Sequence, residues 1–192
     1  MNTNDIISFF DSHAEHWDEY QERNEDVIEK ILDSAGITDG INVLDVACGT
    51  GILFPDYIKR NVASLTGIDI SPEMVKIAKS KFRDYEIICA DASDYIFEKQ
   101  FDAVVIYNAF PHFISKEKLI SNLSDALKQG GRLTVAHGMS KAELDKFHAA
   151  SAGRVSDVLP DKEELAEMIS AYFHADIMIS DESMYLVSGI KK

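Results

Sequence analysis

Long apolar runs, cysteines and positive charge are what this 192-residue sequence has least of. No apolar run approaches the roughly 20 residues that a membrane-spanning helix needs, so no membrane partner is expected. The N-terminus, MNTNDIISFFDSHAEHW, has no basic start followed by a long apolar segment. That argues against a signal peptide and for the cytoplasm. Cys48 and Cys89 are the only cysteines, and each closes an apolar run, so reduced thiols are expected and not a disulfide framework. Lys and Arg number 19 against 33 Asp and Glu, a net charge of -14. The densest basic group, Lys76, Lys79, Lys81 and Arg83, is followed at once by Asp84 and Glu86. Such a balance repels phosphate backbones, so no nucleic-acid partner is expected. Internal repeats and low-complexity segments are also missing.

What is present fits one domain over residues 1–192, with 46% hydrophobic and 27% charged residues. Residues 5–33 read as helical, with Ile6, Phe9, Phe10, His13 and Trp17, then Val27, Ile28, Ile31 and Leu32, at three- and four-residue spacing. Short runs rich in Val, Ile or Leu follow at 42–46, 64–69, 86–90, 101–107 and 132–136. Helical patterns lie between them. Ser71-Pro72 supplies an N-cap and a first-turn proline. Ser115 precedes a helix carrying Leu119, Ile120, Leu123 and Leu127, closed by Gly130-Gly131. Strand alternating with helix predicts an α/β doubly wound, mostly parallel sheet with helices on both faces. After residue 138 the rhythm changes. Ser140 and Glu143 form a capping box, Asp161 opens a further helix, and ADIMISDESMYLVSGIKK reads as an antiparallel hairpin that completes seven strands.

The chemistry concentrates in VLDVACGTGIL, residues 43–53. Gly49 and Gly51 allow a sharp turn and close approach of a ligand at the end of the first strand. A dinucleotide fingerprint would continue to a third glycine, but Phe54 stands there. Asp45, just upstream, would oppose a diphosphate and suits a ligand with an ammonium group. Asp69 ends the second strand at a distance fitting an acid that grips a ribose diol. Together these point to a nucleoside carrying an amino-acid cation.

VLDVACGTG resembles the first motif of the class I S-adenosylmethionine-dependent methyltransferases, of the small-molecule type. LTGIDISPEMVKIAK, CADASDY, FDAVVIYNAFPHF and LKQGGRLTV are similar to the stretches that follow in that family, and FFDSHAEHWDEY is similar to its N-terminal lid helix. The resemblance covers nearly the whole chain. It implies a helical lid over residues 1–35 and S-adenosylmethionine as cofactor. It implies that Asp45 and Gly49 hold the methionine amino group, with Thr50 and Gly51 beside the carboxylate. Asp69 would take the ribose hydroxyls, Ile70 and Ala92 would flank the adenine, and Asp91 would accept from its amino group. Asn108 would lie near the sulfonium, with Ala47 and Met74 along the same groove. Trp17 or Tyr20 would close over the sulfonium by a cation–π contact.

The acceptor side is carried by histidines. The loop Asn108-Ala-Phe-Pro-His112-Phe113 lacks the Asn/Asp-Pro-Pro-Tyr/Phe motif of enzymes that methylate amides, which disfavours that chemistry. His112 follows the fourth strand, His137 ends the fifth, and His148 lies on the apolar side of the helix after Ser140. The segment 138–172 is long for a connection and is expected as a helical insertion covering the pocket. His112, His137 and His148 converging on one cleft would bind a divalent metal, or one of them would act as a base. Methyl transfer to a small-molecule acceptor is therefore the expected reaction. Two alternatives compete with it: an NAD-dependent oxidoreductase of the same fold, and a non-catalytic module that binds S-adenosylmethionine.

Overall fold

The computed structural model describes residues 2–19, 23–147 and 155–192. The N-terminal section is not one helical stretch. Helix α1 spans Thr3–His13, a 3-10 segment covers Ala14–Glu19, and α2 starts afresh over Glu25–Ser34. The restart has a local cause: Asn24 is extended and its side chain accepts the backbone N–H of Val27 at 3.3 Å. Asparagine competes with helical backbone bonds and favours such caps over helix interiors.

Seven strands follow: β1 (Asn42–Val46), β2 (Ser64–Asp69), β3 (Glu86–Cys89), β4 (Phe101–Tyr107), β5 (Leu127–His137), β6 (Phe173–Ser180) and β7 (Tyr185–Lys191). Their order is β3-β2-β1-β4-β5-β7-β6. The first five pair in parallel, and β7 runs antiparallel between β5 and β6. Helices α3 (Phe54–Lys59), α4 (Pro72–Lys81), α5 (Lys116–Ala126), α6 (Lys141–Phe147) and α7 (Lys162–Ile169) complete the described elements.

Because successive strand residues point to opposite faces, each central strand feeds two cores. Leu44, Val46, Val104 and Ile106 pack with Leu119, Leu123 and Leu165 on one side. Val43, Ala103 and Val105 pack with Ile28, Ile31, Phe54, Tyr57 and Val75 on the other. Helix α5 ends before the expected glycine pair, because Lys191 Nζ donates to the carbonyls of Ser124 and Leu127 at 2.7 and 2.9 Å. Residues 127–131 are then taken up by a register irregularity opposite Phe101 and Ala103. The hairpin turn is held by Asp181, whose Oδ1 accepts the N–H groups of Ser183 and Met184. Among the described residues, no helix is long and apolar enough to cross a membrane. Cys48 and Cys89 are free thiols.

Candidate active site

The winding direction reverses between β1 and β4, and the loops after β1, β2, β3 and β4 open there into one cleft. The turn after β1 has an unusual backbone. Ala47, Gly49 and Gly51 have φ of 55°, 53° and 88°. A Cβ on Gly51 would stand 2.7 Å from the Phe82 ring, so this turn requires glycine both for space and for conformation. Beneath it, a Cβ on Gly67 of β2 would stand 2.8 Å from Cys48 Sγ and 2.9 Å from Phe54 Cζ. Phe54 thus occupies the position where a dinucleotide fold keeps a small residue, packing onto the one bare position of β2.

Asp69 lines the cleft, 8% exposed, and its two oxygens accept N–H groups from Gly49 (2.8 Å) and Ser71 (2.9 Å). These bonds tie the β1 and β2 loops together. Burial still raises its carboxyl above the ordinary range, against the lowering effect of those bonds. Asp45 lies one layer deeper, 2% exposed, beside Gly67 and Val105 in the sheet. Burial first, and Asp69 second, push its carboxyl well above the ordinary range.

Of the residues that the sequence nominated, Trp17, Ala47, Gly49, Thr50, Asp69, Ile70, Met74, Asp91, Ala92, Asn108 and His112 line this cleft. Asp45 and Gly51 sit behind its wall and do not line it. Tyr20 and His148 lie outside the described residues. Asp91 takes the N–H of Ser93 at 2.8 Å on one oxygen. Asn108 is held at φ 54°, its N–H bonded to the Ala136 carbonyl and its Oδ1 accepting the Gly138 N–H, which joins the ends of β4 and β5. Such strain persists only where the surroundings fix it.

The three-histidine metal expectation finds no support among the described residues, and His148 lies outside them. Among the described residues, no group of three or more His, Cys, Asp or Glu could hold a metal ion. His112 lines the cleft, and its Nδ1 lies 2.8 Å from the Val155 carbonyl and 2.8 Å from Ser156 Oγ. His137 does not join it. Its ring is fully buried in the sheet, opposite Tyr185 and 6.1 Å from that ring. The alternation along β5 places it on the same face as the core residues Leu133 and Val135, and it is not among the residues that line the cleft. Within 138–172, Val155 packs in one apolar cluster with Ile6, Phe9, Phe10 and Ile70, and further contacts reach the loop after β4. Besides the His112 bonds, the Asp157 N–H donates to the Pro111 carbonyl.

The N-terminal section supplies residues that sequence reasoning passed over. Thr3, Ile6 and Phe10 line the cleft with Trp17, and the Phe10 ring stands edge-on to both Trp17 (5.4 Å) and His112 (5.0 Å). Asp11 accepts from Ser71 Oγ at 2.5 Å, and Asp18 from Thr50 Oγ1 at 2.5 Å. Nothing in the sequence sets these two acids apart from other surface charges, because their partners lie 60 and 32 residues away. Arg23 then anchors the section, donating to the Ile52 carbonyl (2.6 Å) and to both Asp56 oxygens (2.7 and 2.6 Å).

The fold is shared with known proteins. A family model described as a methyltransferase domain matches residues 43–131. An uncharacterized methyltransferase of Schizosaccharomyces pombe is 37% identical over 126 residues, covering 57% of this chain and 42% of that protein. The chain spans less than half the length of the first curated relatives it matches. In structure, the putative methyltransferase solved in complex with the Haloferax volcanii Trm112 activator superposes with a TM-score of 0.79 at 17% identity, covering 99% of this chain and 97% of that one. The magnesium protoporphyrin IX methyltransferase from Synechocystis, solved with bound SAH, gives 0.74 at 15% identity over 100% of both chains. Over residues 43–131 the chain is similar to a methyltransferase domain, and its fold is that of solved methyltransferases.

Proposed function

We propose that the protein transfers a methyl group from S-adenosylmethionine to a small-molecule acceptor bound between the N-terminal section and the loop after β4. The observation that carries this reading is the pair of buried acids, Asp45 and Asp69, at the ends of adjacent strands around one glycine turn. Their negative potential suits an ammonium-bearing nucleoside and opposes a diphosphate. Asp69 uses one lone pair on each oxygen for Gly49 and Ser71, and the remaining pairs are acceptors for ribose hydroxyls. Burial pushes the Asp45 carboxyl well above its ordinary range, and an ammonium group lying near it would supply the opposite charge that favours its ionised form. Asp91 takes the adenine amino group, while Ile70 and Ala92 flank the ring and Met74 closes the groove. The neighbour solved with bound SAH supports the same cofactor.

Bound S-adenosylmethionine supplies an electrophilic methyl group on a sulfonium, and in-line displacement depends on alignment. Asn108, fixed on Gly138, and Trp17, beside Gly49, are the positioning residues nearest that end. Because a carbonyl can only accept, the Val155 contact puts a proton on His112 Nδ1 and fixes the ring at the cleft wall. That ring orients an acceptor hydroxyl or amine, or removes its proton.

Thermal shift decides the cofactor. S-adenosylhomocysteine is expected to stabilise the protein and NAD to leave it unchanged; the reverse result overturns the reading. Turnover of S-adenosylmethionine on a panel of small acceptors then separates an enzyme from a module that only binds.

A further inference from the structure

Two carboxylates reach from the N-terminal section onto the cofactor loops. Asp11 accepts from Ser71 Oγ and, at 3.2 Å, from the Glu73 N–H, sharing the cap of α4. Asp18 is different in kind. One of its oxygens takes the Thr50 hydroxyl and the other takes Lys81 Nζ at 2.9 Å. Thr50 is 2% exposed and lines the cleft, in the turn where the ligand's amino-acid end belongs. A buried hydroxyl donor beside an ammonium is the chemistry that recognises a carboxylate. Burial alone would raise the Asp18 carboxyl, yet the bonds from Lys81 and Thr50 hold it below its ordinary range. The pair therefore selects the charged form of whatever carboxylate it holds.

A threonine hydroxyl has one proton to donate, so Thr50 serves one carboxylate at a time. We propose that Thr50 and Lys81 form the site for the carboxylate at the amino-acid end of the cofactor, and that Asp18 fills this site when the cofactor is absent. The inference rests on the methyltransferase reading and goes beyond it by naming Lys81 as a specificity residue and Asp18 as an internal competitor. Trp17, adjacent in sequence and 3.7 Å from the Cβ position of Gly49, moves with Asp18 when the site changes hands. Asp11 remains on Ser71 and keeps the section attached.

Calorimetric titration with two probes tests this. S-adenosylhomocysteine carries the carboxylate; 5′-methylthioadenosine lacks the whole amino-acid end. Asp18→Ala is expected to tighten S-adenosylhomocysteine about tenfold, because a competing closed state is removed, and to leave methylthioadenosine unchanged. Adding Lys81→Gln to Asp18→Ala is expected to weaken S-adenosylhomocysteine about tenfold relative to the single variant, the size of one charge-assisted bond, again without effect on methylthioadenosine. Asp18→Asn, which keeps an acceptor for Thr50 but loses the charge facing Lys81, gives a smaller tightening and serves if the alanine variant does not fold. Weaker or unchanged S-adenosylhomocysteine binding in both Asp18 variants overturns the proposal. So does an equal effect of Lys81→Gln on both probes. A wild-type protein that binds neither probe overturns the methyltransferase reading itself, a result distinct from the other two.

Discussion

Asp45 is a carboxylate that the fold buries before any ligand arrives, with Asp69 as its charged neighbour. Its folded-state acidity is weakened, so the folded protein holds a proton that the unfolded chain releases at lower pH. Its contribution to stability is complete below the unfolded value of about 3.9 and is lost as pH rises through the raised folded value. Asp45→Asn is therefore expected to raise the melting temperature of the free protein at alkaline pH, by about 2–4 °C for each kcal/mol, while abolishing the shift caused by S-adenosylhomocysteine. Melting curves at pH 6 and pH 9 with and without ligand check both parts. Gly67 makes a second residue-scale case. Gly67→Ala drives a methyl group into Cys48 and Phe54 and is expected to cost about 1–3 kcal/mol in denaturant unfolding. Asp45, Asp69 and the glycine turn were legible because a buried acid at a strand end needs a partner, and glycines straight after a strand mark a tight turn. Asp18 was not, since an acid on a polar helix face looks like any solvated charge until its partner Thr50, 32 residues away, is brought to it.

At the scale of elements, the N-terminal section is docked through both apolar packing and polar contacts. Ile6 packs with Val155, Phe9, Phe10 and Ile70, and Asp11 and Asp18 add polar contacts to the loops after β2 and β1. Asp11→Ala is expected to weaken docking by about 1 kcal/mol, read as faster amide exchange in α1 and in the first turn of α4 while β1 and β4 are unaffected. The strands were legible as short runs of Val, Ile and Leu, and the order strand–helix–strand carried the parallel sheet. Boundaries failed where a distant group intervened. Lys191 stops α5 from across the sheet, and Asn24 divides a pattern that hydrophobic spacing alone joins into one. His137 stands at the end of β5, where the sequence puts it, but it pairs with Tyr185 of β7 and does not line the cleft.

For the whole molecule, a net charge of -14 dominates over individual ion pairs. Most of the pairs involve exposed side chains, which contribute little each. Self-repulsion of the excess acid acts over distances near the Debye length, about 10 Å at 0.1 M salt. Added sodium chloride is therefore expected to raise the melting temperature between about 10 and 200 mM, and calorimetry across that range checks it. A fall instead would mean that the ion pairs outweigh the repulsion.

The sheet order also sets a schedule. Strand β7 is the last of the seven in sequence, but it stands inside the sheet, and β6 touches the other strands only through it. During synthesis, β1 to β5 can pair as they emerge, whereas β6 has no partner until residues 185–191 are free of the ribosome. For that interval the chain carries an open edge on β5 and an apolar strand with nowhere to go, the kind of surface that neighbouring nascent chains join. Ribosome-stalled chains ending before residue 185 should aggregate or recruit chaperones, and emergence of residues 185–191 should end that exposure in a single step.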